Sequence, residues 1–111
     1  MTTSADPIDV DAMRAAASGA CSLLRTLGNP DRLLLLCQLT QGERCVSELE
    51  SLLGIQQPTL SQQLGVLREE QLVNTRRDGK QIYYSIASKD ALAVMHVLHD
   101  LFCRKTRGRK R

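Results

Sequence analysis

A change of hydrophobic period in the second half of the chain limits its fold more than any other feature. Up to about Glu70 the apolar residues recur at helical spacing, whereas from Val73 to Ile86 they alternate as in a β-strand. The dipeptide Asp78-Gly79 divides this alternating stretch, and it is the strongest short signal for a type I′ hairpin turn. The pattern predicts a set of helices followed by a β-hairpin and one further helix.

Capping residues place the boundaries of these elements. Asn29 and Pro30 suit the N-cap and first position of a helix, and Ser88 suits the N-cap of the last one. The prediction is a mainly α fold with helices at 10–27, 30–41, 46–53, 58–70 and 89–104 and strands at 73–77 and 80–86, in the order α-α-α-α-β-β-α. Leucines surround the axis of the second helix, so we expect it to be central and buried; they are Leu33, Leu34, Leu35, Leu36 and Leu39.

Length and composition indicate one globular domain, since the chain has 111 residues of which 42% are hydrophobic. We place this domain at 10–104, with a flexible N-terminal arm at 1–9 and a basic tail at 105–111. No apolar run approaches the ~18 residues of a membrane span, and the polar N-terminus lacks the features of a secretory signal. We therefore expect a cytoplasmic protein without a membrane partner.

The basic residues are concentrated at the C-terminus. The last eight residues hold six of the fifteen Lys and Arg residues, and residues 1–103 carry nine bases against twelve acids. A basic end of this kind indicates a polyanion partner such as nucleic acid. It fits a disordered, solubilising segment equally well, so it does not decide the function.

Two short helices joined by a tight glycine turn and followed by a hairpin predict a winged helix-turn-helix. The major groove of B-DNA admits one helix, and the preceding helix braces it across the backbone. Amide and hydroxyl side chains can reach bases, and the basic side chains of the hairpin suit phosphates or the minor groove. The predicted DNA-contacting residues are Gln57, Thr59, Ser61, Gln62, Gln63, Arg76, Arg77 and Lys80. A winged helix that contacts only proteins is the alternative.

The stretch VSELESLLGIQQPTLSQQLGVLREEQLVNTRRDGKQIYYSI resembles the core of the ArsR/SmtB family of bacterial repressors, as does the upstream segment LGNPDRLLLL. The resemblance covers about Leu23 to Cys103. It implies a homodimeric, DNA-binding repressor that releases its operator when an effector is sensed. A two-fold dimer reads an imperfect inverted repeat in double-stranded DNA.

The metal sites of this family are altered in the chain. One family site is a Cys-Val-Cys box, and here Cys45 fits its first position while Ser47 replaces its second. A second family site opens with Asp-x-His, and here Asp90 is followed by Ala-Leu, without the histidine. We therefore predict neither a metal site nor a cofactor. A repressor that responds to a metal or metalloid through cysteine and histidine ligands is the alternative.

Two other cysteines resemble the sensing pair of one branch of the family. Cys37 in LLLLCQL and Cys103 in DLFC match the sulfide- and redox-responsive branch, which includes the biofilm growth-associated repressors and the HlyU-like regulators. In that branch a disulfide or polysulfide bridge joins the two thiols, and the protein leaves DNA. Cys37 considered alone fits a buried small apolar residue equally well. Cys21 and Cys45 are interpreted as packing or bystander thiols.

Further patterns concern the first and last helices. His96, His99 and Cys103 form one stripe of the last helix, which suits a metal site, a thiolate-favouring environment, or simply polar surface. Apolar stripes predict a dimer seam formed by Leu23, Leu24, Leu27, Val94, Met95, Leu98, Leu101 and Phe102.

The sequence predicts that the protein is not an enzyme. It shows no nucleophile with a base and an orienting group, no phosphate-binding loop and no CxxC motif. A thiol oxidoreductase and an architectural DNA-coating protein are the remaining alternatives. The architectural protein would keep its DNA when its thiols are oxidised.

Overall fold

The computed structural model describes residues 9–104, so most of the predicted N-terminal arm and the basic tail at 105–111 lie outside the described residues. The elements are α1 (Val10–Leu27), α2 (Pro30–Leu39), β1 (Arg44–Cys45), α3 (Val46–Leu53), α4 (Thr59–Glu69), β2 (Val73–Asp78), β3 (Gln81–Ile86), α5 (Lys89–Leu98) and a π-helical segment (His99–Arg104). The predicted mainly α, winged fold is confirmed, with β1 and the π-helical segment as additions to the predicted order.

Local chemistry sets the boundaries where the sequence places them. The Asn29 side chain accepts a hydrogen bond of 3.0 Å from the backbone N–H of Arg32 at the start of α2. Ser88 caps α5 in the same way, since its hydroxyl accepts from the backbone N–H of Ala91 at 3.0 Å. In the hairpin, Asp78 pairs with Gln81, so the turn residues are Gly79 and Lys80, and Gly79 has a positive φ of 64°. The predicted type I′ turn is wrong, because that type needs a positive φ at both turn residues; a positive φ at the first residue alone is typical of type II′.

The sheet has one strand more than the sequence predicts. β1 pairs antiparallel with β3, so that Arg44 lies opposite Tyr84 and the strand order is β1-β3-β2. A strand of two residues is too short to show a hydrophobic period, which is why the sequence does not indicate it. The added pairing attaches the start of α3 to the hairpin.

The core lies between α2, α3, α4 and the sheet. Leu35 and Leu36 of α2 are fully buried, together with Leu49 of α3 and Leu60 and Leu67 of α4. The prediction that all leucines of α2 are buried is wrong for one of them. Leu34 remains 46% exposed, because α2 packs against α1, α3, α4 and β3 and leaves one side uncovered.

The last helix also differs from the prediction. The α-helix ends at Leu98, and residues 99–104 continue as a π-helix, whose wider turn changes the direction in which the following side chains point. His96 and Cys103 therefore do not share the regular α-helical stripe that the sequence suggests. No helix within residues 9–104 is both long and apolar enough to cross a membrane.

Candidate functional site

The helix-turn-helix is formed by α3 and α4. Leu60, Leu64 and Leu67 of α4 point into the core, so the opposite face of this helix is left to solvent. Gly54, with a φ of 71°, ends α3 in the left-handed conformation that allows the tight turn. α4 is the helix that this arrangement offers to a DNA groove, and we call it the recognition helix.

The predicted base-contacting side chains take different positions at the start of α4. Gln57, Ser61 and Gln62 are exposed, whereas Thr59 is half-buried. The side-chain oxygen of Gln57 accepts from the hydroxyl of Ser61 at 2.7 Å and from its backbone N–H at 3.1 Å. Gln57 therefore stabilises the first turn of α4, and Gln62 is the more openly presented amide.

Gln63 lies on another side of the recognition helix. It is half-buried, and its side-chain oxygen accepts a hydrogen bond of 2.8 Å from the guanidinium of Arg32 on α2. Sequence reasoning did not identify Arg32 as part of the site. No local pattern indicates a bond between residues 31 positions apart in the chain.

The predicted phosphate-contacting residues of the wing are all exposed, yet two of them donate hydrogen bonds within the protein: Arg76 to Glu43, and Arg77 to the backbone oxygen of Gly79 at 3.4 Å. Arg76 donates two hydrogen bonds to the carboxylate of Glu43, at 2.9 and 2.8 Å, and its guanidinium lies 4.7 Å from the ring centre of Tyr83. These bonds hold the pKa of Glu43 below its usual range. Arg77 and Lys80 present their charges at the tip of the hairpin.

The two candidate sensing thiols lie on different elements and differ in burial. Cys37 is half-buried in α2, Cys103 is exposed in the π-helical segment, and both are unbridged. Burial raises the pKa of the Cys37 thiol, and the charge of Cys103 raises it further. The two sulfur atoms are thus within electrostatic range, although 66 positions separate them in the chain.

The remaining cysteines and the histidines differ in burial. Cys45 is buried in the core, as expected of a packing thiol, and Cys21 is exposed on α1. His96 and His99 are exposed. Within residues 9–104, no three side chains of His, Cys, Asp or Glu converge on a point that a metal ion could occupy.

The first and last helices expose large apolar side chains. Leu24 on α1 is 59% exposed, and Phe102 in the π-helical segment is 66% exposed. The predicted seam needs a correction at two positions, because Leu27 and Met95 are buried within the protomer. A groove of about 530 Å³ also opens beside α1, which contributes the small residues Ala16, Gly19 and Ala20 to its wall.

A buried helix-turn-helix core, an exposed amide-bearing helix and a basic wing define a winged helix-turn-helix regulator that binds DNA. The chain belongs to the arsR family of bacterial regulatory proteins, whose model matches residues 29–75. The resemblance seen in the sequence is thereby confirmed. Its relatives are transcriptional regulators, and the protein is a regulator of this class rather than an enzyme.

Similar proteins agree over most of the chain. The biofilm growth-associated repressor of Agrobacterium fabrum is 51% identical over 96 residues, which are 86% of this chain and 82% of the relative. The crystal structure of the repressor BigR from Xylella fastidiosa has 47% identity and a TM-score of 0.80, with 86% of this chain and 98% of that chain covered. Reduced HlyU from Vibrio cholerae has 38% identity and a TM-score of 0.79, with 82% and 96% covered.

One further structure is described as a homodimer. It is the winged helix-turn-helix domain of a possible ArsR-family regulator from Mycobacterium bovis, with 28% identity and a TM-score of 0.72. The match covers 95% of each chain.

Proposed function

We propose that the protein is a homodimeric transcriptional repressor that binds an imperfect inverted repeat and releases it when Cys37 and Cys103 are bridged by oxidation. The carrying observation is that the charge of Cys103, in the exposed C-terminal segment, acts on the half-buried Cys37 thiol of the central helix α2. The similarity to the biofilm growth-associated repressor supports the repressor role, and the structure of HlyU in a form described as reduced supports a redox-responsive site.

The proposed DNA contacts divide between bases and backbone. Gln62 and Ser61 contact base edges in the major groove from the exposed face of α4, with Gln57 and Thr59 at its start. Arg77 and Lys80 contact phosphates from the wing tip. Gln63 and Arg76 are also predicted from the sequence, but both already bond within the protein, so we propose that they reach DNA only if those bonds break.

Dimerisation through α1 and the C-terminal segment is supported by the apolar surface that both expose. Leu24, Leu101 and Phe102 are each more than half exposed in the protomer. A partner that covers them removes apolar area from water, which is the main favourable contribution to association. The homodimeric structure from Mycobacterium bovis is a precedent for this assembly among winged helix-turn-helix proteins.

The proposed chemistry begins at Cys103, because it is exposed and Cys37 is held in its protonated form by its raised pKa. With hydrogen disulfide (HSSH), the Cys103 thiolate forms a new S–S bond and HS⁻ leaves, so that Cys103 carries a persulfide. Cys37 then loses its proton to solvent, and its thiolate attacks the Cys103 sulfur. A second HS⁻ leaves, and a disulfide remains. The two thiols lose two electrons, and the sulfur reagent gains them.

A longer polysulfide leaves two added sulfur atoms on Cys103. The Cys37 thiolate attacks the inner one, its bond to the outer sulfur breaks, HS⁻ leaves, and a trisulfide remains. A direct disulfide requires Cα atoms within about 7 Å. The inserted sulfur spans a wider gap, which would make the protein more responsive to polysulfide than to peroxide.

The bridge is proposed to act by linking the helix that supports α4 to the dimer seam. α2 packs against the recognition helix, and the C-terminal segment belongs to the proposed seam. A covalent link between them changes the separation or tilt of the two recognition helices in the dimer. To weaken operator binding a hundredfold, the link needs to favour the non-binding geometry by only about 2.7 kcal/mol.

Operator binding before and after treatment with inorganic polysulfide, peroxide, arsenite or zinc tests the proposal. We expect polysulfide to release the DNA from wild type and from Cys21→Ser, a control that removes an exposed thiol outside the pair. Cys37→Ser and Cys103→Ser should bind DNA normally and remain bound. If polysulfide still releases DNA from the variant that carries both Cys37→Ser and Cys103→Ser, the pair is excluded as the sensor. Release by arsenite or zinc alone would favour the metal-responsive alternative.

A further inference from the structure

The side chain of Arg32 joins three helices through one guanidinium group. Its Nε donates to the backbone oxygen of Thr26 at 2.7 Å, and its Nη2 lies 3.4 Å from the backbone oxygen of Arg25. Its Nη1 donates to the side-chain oxygen of Gln63 on α4 at 2.8 Å. Arg32 itself lies in the first turn of α2.

The carbonyl groups that receive Arg32 are favourable partners for a cation. Arg25 and Thr26 lie in the last turn of α1, at the negative end of the helix dipole, and the Arg25 carbonyl also accepts from the backbone N–H of Gly28 at 3.2 Å. The planar guanidinium has donors in a fixed fork, so it can satisfy these acceptors and Gln63 in one geometry only. The bonds therefore define where α4 lies relative to the end of α1.

Two adjacent glutamines of α4 consequently have different environments. Gln62 is exposed, whereas Gln63 is half-buried and held against α2 by its bond to Arg32. A glutamine that reads adenine uses its side-chain oxygen and nitrogen together. The oxygen of Gln63 already accepts from Arg32, so this side chain is better suited to orienting the helix than to reading a base.

We propose that Arg32 and Gln63 are a positioning pair that fixes the rotation of the recognition helix relative to α1. The proposal rests on the proposed function, in which α4 reads DNA and α1 belongs to the dimer seam. Leu60, Leu64 and Leu67 hold α4 through apolar packing, which has no preferred direction. The hydrogen-bonded pair supplies that direction, and it connects the seam to the recognition helix within each protomer.

A double-mutant cycle on the dimer measures the coupling. Arg32→Ala and Gln63→Ala should each reduce affinity for the operator relative to random DNA by about tenfold or more, the effect of losing a hydrogen bond to a charged group. The double variant should lose little beyond Arg32→Ala, because Arg32→Ala already removes the bond to Gln63. Arg25→Ala is the matched control, since it deletes an exposed guanidinium but keeps the backbone oxygen that Arg32 approaches.

Salt dependence separates positioning from direct contact with DNA. Arg32→Ala should leave the slope of log affinity against log salt unchanged, whereas Lys80→Ala should reduce it by about 0.9, the value for one lost phosphate contact. Gln63→Met is the second variant, for use if Arg32→Ala folds poorly. It removes the acceptor but keeps Arg32 and the side-chain volume, and it should show the same loss of operator preference.

Additive losses in the cycle would overturn the proposal, since Gln63 would then contact DNA independently. A reduced salt slope for Arg32→Ala would place Arg32 on a phosphate instead. Unchanged operator preference in Gln63→Met would show that the pair does not position α4. Failure of the wild type to bind any inverted repeat would count against the proposed function itself.

Discussion

The middle of the molecule buries its large apolar side chains, whereas its two ends expose them. In α2, α3 and α4 the fully buried leucines meet one another, and mostly polar side chains face solvent. In α1 and the C-terminal segment, side chains such as Met13, Leu24 and Phe102 are more than half exposed. The middle is thus complete within one protomer, whereas the ends present a surface suited to a second copy.

The same comparison separates the two candidate functions in space. Amide, hydroxyl and basic groups for DNA lie on α4 and the wing. Cys103 lies at the apolar end, and Cys37 lies on α2, which packs against both α1 and α4. In the proposed function, the thiol pair therefore links the proposed dimer seam to the proposed DNA-reading surface, and a covalent bridge can affect both.

The largest effect on stability is expected from shortening a buried leucine in the middle of the molecule, which packs completely within one protomer. Leu36→Ala should lower the free energy of unfolding by about 2–5 kcal/mol, because Leu36 is fully buried. Leu34→Ala on the same helix should change it by less than about 0.5 kcal/mol. Chemical denaturation at one protein concentration measures both. Equal losses would show that Leu34 is covered by a partner and that the middle is not complete.

The second effect concerns α1 and the C-terminal segment, which expose apolar side chains. Leu24→Asp should convert the dimer to a monomer and weaken operator binding about a hundredfold or more, because a charge would enter the apolar seam. Leu52→Asp on α3 is the matched control, since Leu52 is 55% exposed and Leu24 59%. Analytical ultracentrifugation should find a dimer for the control only. A Leu24→Asp dimer would place the seam elsewhere.

A smaller effect is expected on the acidity of Cys37. Its pKa is raised first by burial and then by the charge of Cys103. Cys103→Ser removes only the second cause, so the pKa of Cys37 should fall yet stay above its ordinary value. Thiolate absorbance in a Cys21→Ser, Cys45→Ser background reports this titration. An unchanged pKa of Cys37 would indicate that the two thiols are too far apart to interact.

The smallest effect is expected at the wing. Glu43→Gln removes the charge that holds Arg76, so Arg76 becomes available to a phosphate and the salt slope of DNA binding should steepen by up to about 0.9. Stability should change little, because the ion pair is exposed. Arg76→Ala alone would leave the slope unchanged if Arg76 makes no phosphate contact in the wild type. A slope that falls in Arg76→Ala would show that Arg76 contacts DNA despite Glu43.

Sequence reasoning succeeded where short-range chemistry decides the structure. The cap at Asn29, the turn at Gly79 and the inward leucines of α4 all depend on neighbours within a few positions. It failed where distant residues meet. The Arg32–Gln63 and Arg76–Glu43 bonds join residues 31 and 33 positions apart, and neither has a local signal. The pairing of Cys37 with Cys103 was predicted from resemblance to a family, and no periodicity in the sequence indicates it.

The most direct test of the thiol switch follows bridge and release in the same samples. Wild-type protein on labelled operator DNA is titrated with inorganic polysulfide. At each point, mass spectrometry of digested protein gives the Cys37–Cys103 bridged fraction, and fluorescence anisotropy gives the released fraction. We expect the bridged fraction and the released fraction to rise together, and reductant to reverse both. Release without the bridge, or complete bridging with the operator still bound, would contradict the proposed thiol switch.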